Sequence, residues 1–337
     1  SLLRSRDLAW LNNLMSSIYL PKAATGPVPA FLGLNFVGNQ CVANDPGVPL
    51  TTRWVRSTYT KEKDNHADET SRGLHSSRWQ VETVLMRGYA TATAYYGDIE
   101  EDHPEGWKNG VRGELLRRSS KTQFAQDDWG AVSAWAWGLS RALDYLETDA
   151  SVDAERVIVH GHSRLGKAAL WAGAQDERFA IVISNNSGEG GASLMRRDFG
   201  ETIAIANGWE PHRFCQNFRR YNHAANSLPV DSHLLIALAA PRPVYVASAS
   251  EDLLADPKGE FLAAKAAEPV YRLFGKVGIT SAEMPIPDRP IGNTVGYHLR
   301  TGKHDITGYD WAQYLEFADR RLRGQTALPN SSAPHSK

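Results

Sequence analysis

The sequence predicts a three-layer α/β/α sandwich built on a mostly parallel central sheet. Short apolar runs, typical of buried strands, alternate with longer segments in which apolar residues recur every three or four positions. A glycine-flanked serine at 161–166 and a glycine-rich loop at 185–191 both follow such runs. Strands that alternate with helices form a parallel sheet covered on both faces, and ligands bind outside the carboxyl ends of its strands.

Six apolar runs are the predicted strands, and four helices are placed around them. The strands cover residues 30–36, 89–96, 155–160, 179–184, 243–248 and 295–300. The helices are expected at 77–87, from a cap at Asp127 or Asp128 to Leu146, at 259–275 and at 309–322. A further helix is expected directly after the serine.

These elements predict a single catalytic domain over residues 1–324. Residues 42–75 are polar and weakly patterned, and we interpret them as a surface insertion. Residues 190–240 are interpreted as a cap-like insertion over the carboxyl edge of the sheet. The polar segment 325–337, which contains two prolines, is predicted to be a disordered tail.

Charge and cysteine content exclude several classes of protein. Net charge is -1, so no basic surface for nucleic acid is expected. No run of about 18 apolar residues occurs, and residues 1–6 lack a signal-peptide core, so we expect a soluble or already processed chain that does not bind membranes. Cys41 and Cys215 exclude a disulfide framework but allow one bridge.

Residues 157–167 predict a nucleophile elbow, a sharp turn from a buried strand into a helix with Ser163 at the bend. The pattern is Gly161-x-Ser163-x-x-Gly166, one residue longer than the G-x-S-x-G motif of most α/β-hydrolases. Small residues flank such a serine because its backbone is strained. An ordinary strand-to-helix turn is the alternative. The apolar strand before and the helix after favour the elbow, and with it the α/β-hydrolase fold.

A catalytic serine needs a base, and His304 is the candidate. In α/β-hydrolases the chain order is serine, acid, histidine. His304 follows the last predicted strand, which places it at the same sheet edge as Ser163. His298 is the rival, but it lies inside an alternating strand and more simply fills structure. No histidine pair with metal-ligand spacing occurs, so no metal is expected.

The carboxylate that orients this histidine is open between two places. Asp252 follows the strand before the histidine, the usual position in this fold, and it ranks first. Glu251 and Asp256 lie in the same acidic turn and are easily confused with it. Glu189, in the glycine-rich loop, ranks second because a carboxylate there could also reach a base across the sheet edge.

Two cations crowd the elbow. The backbone N–H of Arg164 follows the nucleophile and is the expected oxyanion donor, with a second donor from the turn at 35–39. The side chains of Arg164 and Lys167 add positive charge within the first helical turn. They suit a substrate whose acyl part carries negative charge or many hydroxyls.

Six motifs make the chain similar to the glucuronoyl esterases of carbohydrate esterase family 15, bacterial branch, over roughly residues 29–322. They are GHSRLGK at 161–167, NNSGEGG at 185–191, FGET at 199–202, LPVD at 228–231, APRP at 240–243 and GKHD at 302–305. The resemblance implies a secreted or periplasmic serine esterase without cofactor. Members cleave the ester between 4-O-methyl-glucuronic acid on xylan and a lignin alcohol.

The resemblance also implies residue roles, with three departures from the family pattern. Ser163 would be nucleophile, His304 base and Arg164 the oxyanion-side cation, while Lys167 and Glu201 would contact the hydroxyls of the uronic acid. Fungal relatives carry the triad glutamate at the position of Asn186, which moves that role to Asp252. Glu189 replaces a common cysteine, so a bridge to Cys215 is lost and Glu189 is free for the site. Leu254 replaces a common tryptophan, which predicts altered sugar binding.

Other functions fit parts of the pattern. An acetyl or feruloyl polysaccharide esterase is the nearest enzyme alternative, although two cations disfavour an apolar acyl group. An inactive carbohydrate-binding relative is the alternative outside the enzymes, and the retained Ser163, Asp252 and His304 oppose it. A peptidase of the same fold would normally carry a repeat region, and none is present. We expect a monomer.

Overall fold

Over the residues that it describes, the computed structural model is a sandwich around one eight-stranded sheet, and it confirms the predicted fold class. It describes residues 16–61, 63–119 and 121–323. The tail predicted at 325–337 lies outside the described residues. The strands are β1 (Ser16–Tyr19), β2 (Val28–Asn35), β3 (Ala90–Tyr95), β4 (Val152–His162), β5 (Ile181–Asn185), β6 (Val244–Ala249), β7 (Ile291–Gly292) and β8 (Val295–Arg300).

Strand order sets the position of the site. The sheet runs β1-β3-β2-β4-β5-β6-β8-β7, and only the outermost strands, β1 and β7, pair antiparallel with their neighbours. The six strands between them are parallel. Their carboxyl ends therefore meet at one edge, and the loops after β4, β5, β6 and β8 converge there.

The helices cover both faces of the sheet. They are α1 (Ser76–Trp79), α2 (Val81–Met86), α3 (Tyr96–Ile99), α4 (Val111–Arg118), α5 (Ala131–Leu146), α6 (Arg164–Gln175), α7 (Ile203–Trp209), α8 (Ser232–Ala237), α9 (Pro257–Ala266), α10 (Glu268–Leu273) and α11 (Gly308–Leu322). One core cluster joins α5 and α6 to the sheet, around Trp135 and Leu139. A second joins α11 to the opposite face, around Trp311 and Tyr314.

Several element boundaries differ from the sequence prediction. The helix expected at 77–87 is two helices, because Gln80 adopts a left-handed conformation (φ 47°) between them. The predicted caps of α5 are wrong: the helix begins after Gly130, and Asp128 instead accepts a hydrogen bond from the Ala125 N–H. The edge strands β1 and β7 were not predicted, because four and two residues are too few for a periodic pattern.

The two segments interpreted as insertions both reach the sheet edge. In 42–75, Val55 is completely buried and the neighbouring Arg56 contacts Asp102. In 190–240, the turn after α7 brings Glu210 and Arg213 to the same place. Across the described part of the chain, no helix combines the length and the apolar character needed to cross a membrane.

Candidate active site

The serine turn has the geometry of an elbow. Ser163, between β4 and α6, has φ 58° and ψ -132°, a strained conformation for a residue with a side chain. Its N–H donates to the carbonyl of Asn185 over 2.9 Å, which anchors the bend to β5. A Cβ atom on Gly161 would lie 2.0 Å from the carbonyl oxygen of Leu165, so only glycine fits there. The strain is thus supported by the strand and the helix on either side.

His304 and Asp252 form a tight pair beside this turn. Nδ1 of His304 lies 2.5 Å from Oδ2 of Asp252. The ring of His304 also packs on His162, the residue before Ser163, with 4.5 Å between ring centroids. The loops after β6 and β8 therefore bring an acid and a histidine to the elbow in the predicted chain order.

Asn186 completes the surroundings of Asp252. Its Nδ2 donates to the same carboxylate oxygen over 2.7 Å. Burial alone would raise the pKa of Asp252, but the hydrogen bonds from His304 and Asn186 hold it below its ordinary value. Asp252 is therefore an ionised acceptor at neutral pH, ready to orient a histidine.

The other candidate carboxylates face elsewhere. Glu251 is exposed, and Asp256 is paired with Arg197 over 2.7 Å. His298, the rival base, is completely buried and bonds Asp310 and Tyr245. Glu189, the second-ranked acid, lies buried near Lys167.

Lys167 links the glycine-rich loop to Glu201. Its Nζ donates to the backbone carbonyl of Glu189 and pairs with the carboxylate of Glu201 over 3.0 Å. Only 5% of the Lys167 side chain is exposed. An ammonium group carries three N–H donors, so one remains for a ligand. The N–H of Glu201 donates to the carbonyl of Leu254, which ties the turn after Asp252 to the same group.

Glu189 is a buried carboxyl without a hydrogen-bond partner on Oε1 among the described residues. Burial raises its pKa to about 8, and the negative charge of Glu201 adds to the rise against the opposing effect of Lys167. At neutral pH Glu189 is mostly protonated. A neutral carboxyl at this position can both donate and accept hydrogen bonds.

Arg164 is held rigidly next to the serine. Its guanidinium stacks over the ring of Phe36 at 4.7 Å, and Nε lies 2.8 Å from Oδ2 of Asp102. The contact with Asp102 is an ion pair, because neither Nε nor the buried Nη2 makes a hydrogen bond of good geometry within the described chain. Phe36 belongs to the turn at 35–39, where Asn35 bonds Asn39 and the Gly38 N–H. The turn that was expected to supply an oxyanion donor thus also supports the cation.

Asp102 was not found from the sequence, yet it is the centre of the charge network. Its carboxylate lies within 3.0 Å of the guanidinium groups of Arg56, Arg164 and Arg213 and of Nε2 of His212. Burial by itself would raise the pKa of Asp102, but Arg164, His212 and Arg213 hold it far below its usual range. Asp102 lies in an unpatterned acidic stretch, 98–105, so no spacing marks it.

The cluster around Asp102 contains more positive than negative side chains. Asp102, Glu210 and His212 have ligand-type atoms within 4.8 Å of one another, the spacing of a metal site. Three arginines already occupy these carboxylates, however, and a divalent ion would face their positive charge. Three guanidinium groups share two carboxylates, which leaves a surplus positive charge beside Ser163.

A cavity of about 790 Å³ adjoins Lys167 on the face of the sheet covered by α5 and α6. Trp129, Trp137, Trp171 and Phe214 contribute to its wall. Neither Ser163, Asp252 nor His304 lines it. These three residues therefore lie at the sheet edge rather than in this cavity.

Comparisons with known proteins agree on one family. A family model described as glucuronyl esterase, fungi, matches residues 122–275. A carbohydrate esterase of an unknown prokaryotic organism is 50% identical over 311 residues, which are 91% of this chain and 71% of that protein. The chain spans between 32% and 52% of the length of the fungal 4-O-methyl-glucuronoyl methylesterases that it matches.

Two solved structures extend the agreement to the fold. A glucuronoyl esterase from Solibacter usitatus is 53% identical with a TM-score of 0.86, covering 91% of this chain and 77% of that one. A promiscuous esterase of carbohydrate esterase family 15, from a marine bacterial metagenome, is 49% identical with a TM-score of 0.84 and the same coverage. This chain therefore belongs to the glucuronoyl esterases of carbohydrate esterase family 15 and is a carboxylic ester hydrolase.

Proposed function

We propose that the chain hydrolyses the ester between (4-O-methyl-)glucuronic acid of glucuronoxylan and a lignin alcohol. Ser163 attacks the ester carbonyl while His304 takes its proton, and the bond to the alcohol breaks as His304 returns that proton to the leaving oxygen. Water then hydrolyses the glucuronoyl enzyme by the same two steps. The observation that carries this proposal is the His304–Asp252 pair packed against the serine turn.

Asp252 orients His304 and offsets the positive charge that His304 acquires in each step. Arg164 stabilises the tetrahedral oxyanion, because its guanidinium is fixed by Asp102 and Phe36 before the substrate arrives. A preorganised donor of this kind needs no rearrangement when the charge develops. The surplus positive charge around Asp102 strengthens the same effect.

Lys167, Glu201 and Glu189 are assigned to the sugar. Sugar hydroxyls both donate and accept hydrogen bonds, and these three side chains offer a spare ammonium donor, a carboxylate acceptor and a neutral carboxyl. Lys167 lies one helical turn after Ser163, and the carboxyl groups of Glu201 and Glu189 lie near its ammonium group. An apolar acyl group would leave their polar atoms desolvated and unpaired, which disfavours it.

The test is Ser163→Ala assayed on benzyl glucuronate. Hydrolysis should fall by roughly 10³-fold or more, and labelling by a fluorophosphonate should disappear with it. Ser227→Ala, at an exposed serine, is the control and should keep both. Unchanged hydrolysis by Ser163→Ala would refute the assignment. We expect the chain to act as a monomer, which size-exclusion chromatography would check. We also expect it to act outside the cytoplasm, which localisation experiments would check.

A second candidate, an acetyl or feruloyl polysaccharide esterase, has one observation in its favour. A relative 49% identical is described as promiscuous, and the exposed Leu254 leaves the turn beside Glu201 without an aromatic side chain. Comparing kcat/KM for benzyl glucuronate, acetylated xylan and methyl ferulate separates the two. A higher value for either of the last two would favour the second candidate.

A further inference from the structure

His162 fills the space between the proposed base and the aromatic wall of the elbow. It is the last residue of β4 and is 6% exposed. Its ring lies 4.5 Å from that of His304, tilted by 43°, and meets Phe36 edge to face at 6.2 Å. His304 itself sits on a loop after β8, with its side chain 43% exposed, so it has few other rigid neighbours.

A chain of hydrogen bonds determines which nitrogen of His162 carries the proton. It begins at Asp310, whose carboxylate accepts from Thr307 and pairs with Arg300. Burial would raise the pKa of Asp310, but His298 and Arg300 hold it below its usual value, so Asp310 only accepts. Asn185 must therefore turn its amide nitrogen to Asp310, at 3.1 Å.

The orientation of Asn185 leaves its carbonyl oxygen facing His162. Oδ1 of Asn185 lies 2.6 Å from Nδ1 of His162, and an amide oxygen can only accept. Nδ1 of His162 must then carry the proton, and Nε2 keeps its lone pair. Asp310, at the start of α11, thus selects one tautomer of a ring next to the nucleophile.

The surroundings of His162 also keep it uncharged. Burial lowers its pKa far below the usual range, and the nearby charges of His304, Arg78 and Arg164 lower it further against the raising effect of Asn185. His304 becomes an imidazolium during catalysis. A neutral neighbour does not oppose that charge, whereas a second imidazolium at 4.5 Å would.

We propose that His162 is a positioning residue: a neutral imidazole, locked in its Nδ1–H tautomer through Asn185 and Asp310, that sets the orientation of His304 toward Ser163. The inference rests on the proposed function only in taking Ser163 as nucleophile and His304 as base. It does not depend on which ester is the substrate.

Nitrogen NMR of the full chain with ¹⁵N-labelled histidine tests the locked tautomer, with His162→Gln to assign the signals. We expect Nδ1 of His162 to be protonated and Nε2 unprotonated from about pH 5.5 to 8.5, with no titration in that window. Titration of His162 within the window, or protonation at Nε2 instead, would overturn the proposal.

The orienting effect is tested with His162→Ala and His162→Phe. His162→Ala should slow fluorophosphonate labelling of Ser163 and lower kcat by roughly 10- to 100-fold, with KM within about twofold, because the base loses the ring on which it rests. His162→Phe, which refills the volume, should recover at least about fivefold over His162→Ala. A labelling rate in His162→Ala equal to that of wild type, or no recovery of the rate in His162→Phe, would contradict this role.

His160→Ala is the matched control. His160 lies two residues earlier on β4, is equally buried, and packs on Trp79 and Trp311 instead of His304. The variant His160→Ala should have a lower Tm than wild type and the same labelling rate in the folded protein. A slowing equal to that of His162→Ala would show a general effect of damage to β4 and would refute the proposal. If wild-type Ser163 is not labelled at all, the proposed function fails, and the NMR result still judges the tautomer.

Discussion

Asn186 donates a hydrogen bond of 2.7 Å to the carboxylate oxygen of Asp252 that also faces His304. Two donors on one oxygen keep Asp252 ionised and fix its direction. Asn186 has φ 47°, a conformation that asparagine tolerates better than most residues. Asn186 therefore supports the carboxylate that we assign to the triad.

Asp252→Asn should lower kcat by roughly 10³- to 10⁴-fold, because an amide cannot stabilise the imidazolium of His304. Glu189→Gln should lower kcat by less than about tenfold, since Glu189 lies beside Lys167 and not beside His304. Initial rates on benzyl glucuronate measure both. Glu251→Gln, the exposed neighbour of Asp252, is the control and should match wild type. A larger loss from Glu189→Gln than from Asp252→Asn would move the acid to the glycine-rich loop.

Exchanging the two side chains should partly restore the triad. In Asp252→Asn/Asn186→Asp the carboxylate and the amide trade places 2.7 Å apart, so a negative charge stays near His304. We expect kcat at least about tenfold above that of Asp252→Asn alone. Asn186→Asp alone should instead lower activity, because two adjacent carboxylates compete for one proton. Additive losses in the double variant would show that position 186 cannot reach the base.

Arg164→Lys should lower kcat by roughly 10²- to 10³-fold with little change in KM. Lysine keeps the charge but cannot bind Asp102 through Nε, stack on Phe36 and still offer a planar donor. Separate measurements of kcat and KM for a glucuronate ester distinguish this loss of oxyanion stabilisation from a defect in substrate binding. Arg178→Lys, in a surface ion-pair cluster, is the control. A rise in KM with unchanged kcat would place Arg164 in substrate binding alone.

Glu189→Gln should stabilise the protein at alkaline pH. The native pKa of Glu189 is about 8 against an ordinary value of 4.5, so the folded state holds a proton that the unfolded state has released. Wild-type stability therefore falls as pH rises between these values, whereas glutamine, which stays neutral, is unaffected.

The gain in the free energy of unfolding should be absent near pH 4 and reach on the order of 2–4 kcal/mol near pH 9. Urea unfolding at several pH values measures it, with Glu251→Gln as the exposed control. A gain that is equal at all pH values would contradict this prediction, because it would show that the pKa of Glu189 is the same in the folded and the unfolded state.

Local patterns in the sequence predicted the elbow, the parallel strands and the order of Ser163, Asp252 and His304. These features are readable because a buried strand is a short apolar run, and because only glycine tolerates the close approach at position 161. Residues that follow parallel strands meet at one edge whatever the loops between them do. Family membership could be inferred partly for the same reason, since three of its six motifs, GHSRLGK, NNSGEGG and GKHD, lie at those strand ends.

Tertiary structure alone decided which carboxylate faces His304 and brought Arg56, Asp102 and Arg213 together on Arg164. It also decided that His162, with no motif of its own beyond its place in the elbow, packs on His304. Apart from His162 at the end of β4 and Arg164 at the start of α6, these side chains come from irregular loops far apart in the chain, where no periodicity links one residue to another. Their meeting depends on long-range packing and on the pairing of buried charges, so local sequence patterns predicted the candidate residues and tertiary structure determined which side chains surround them.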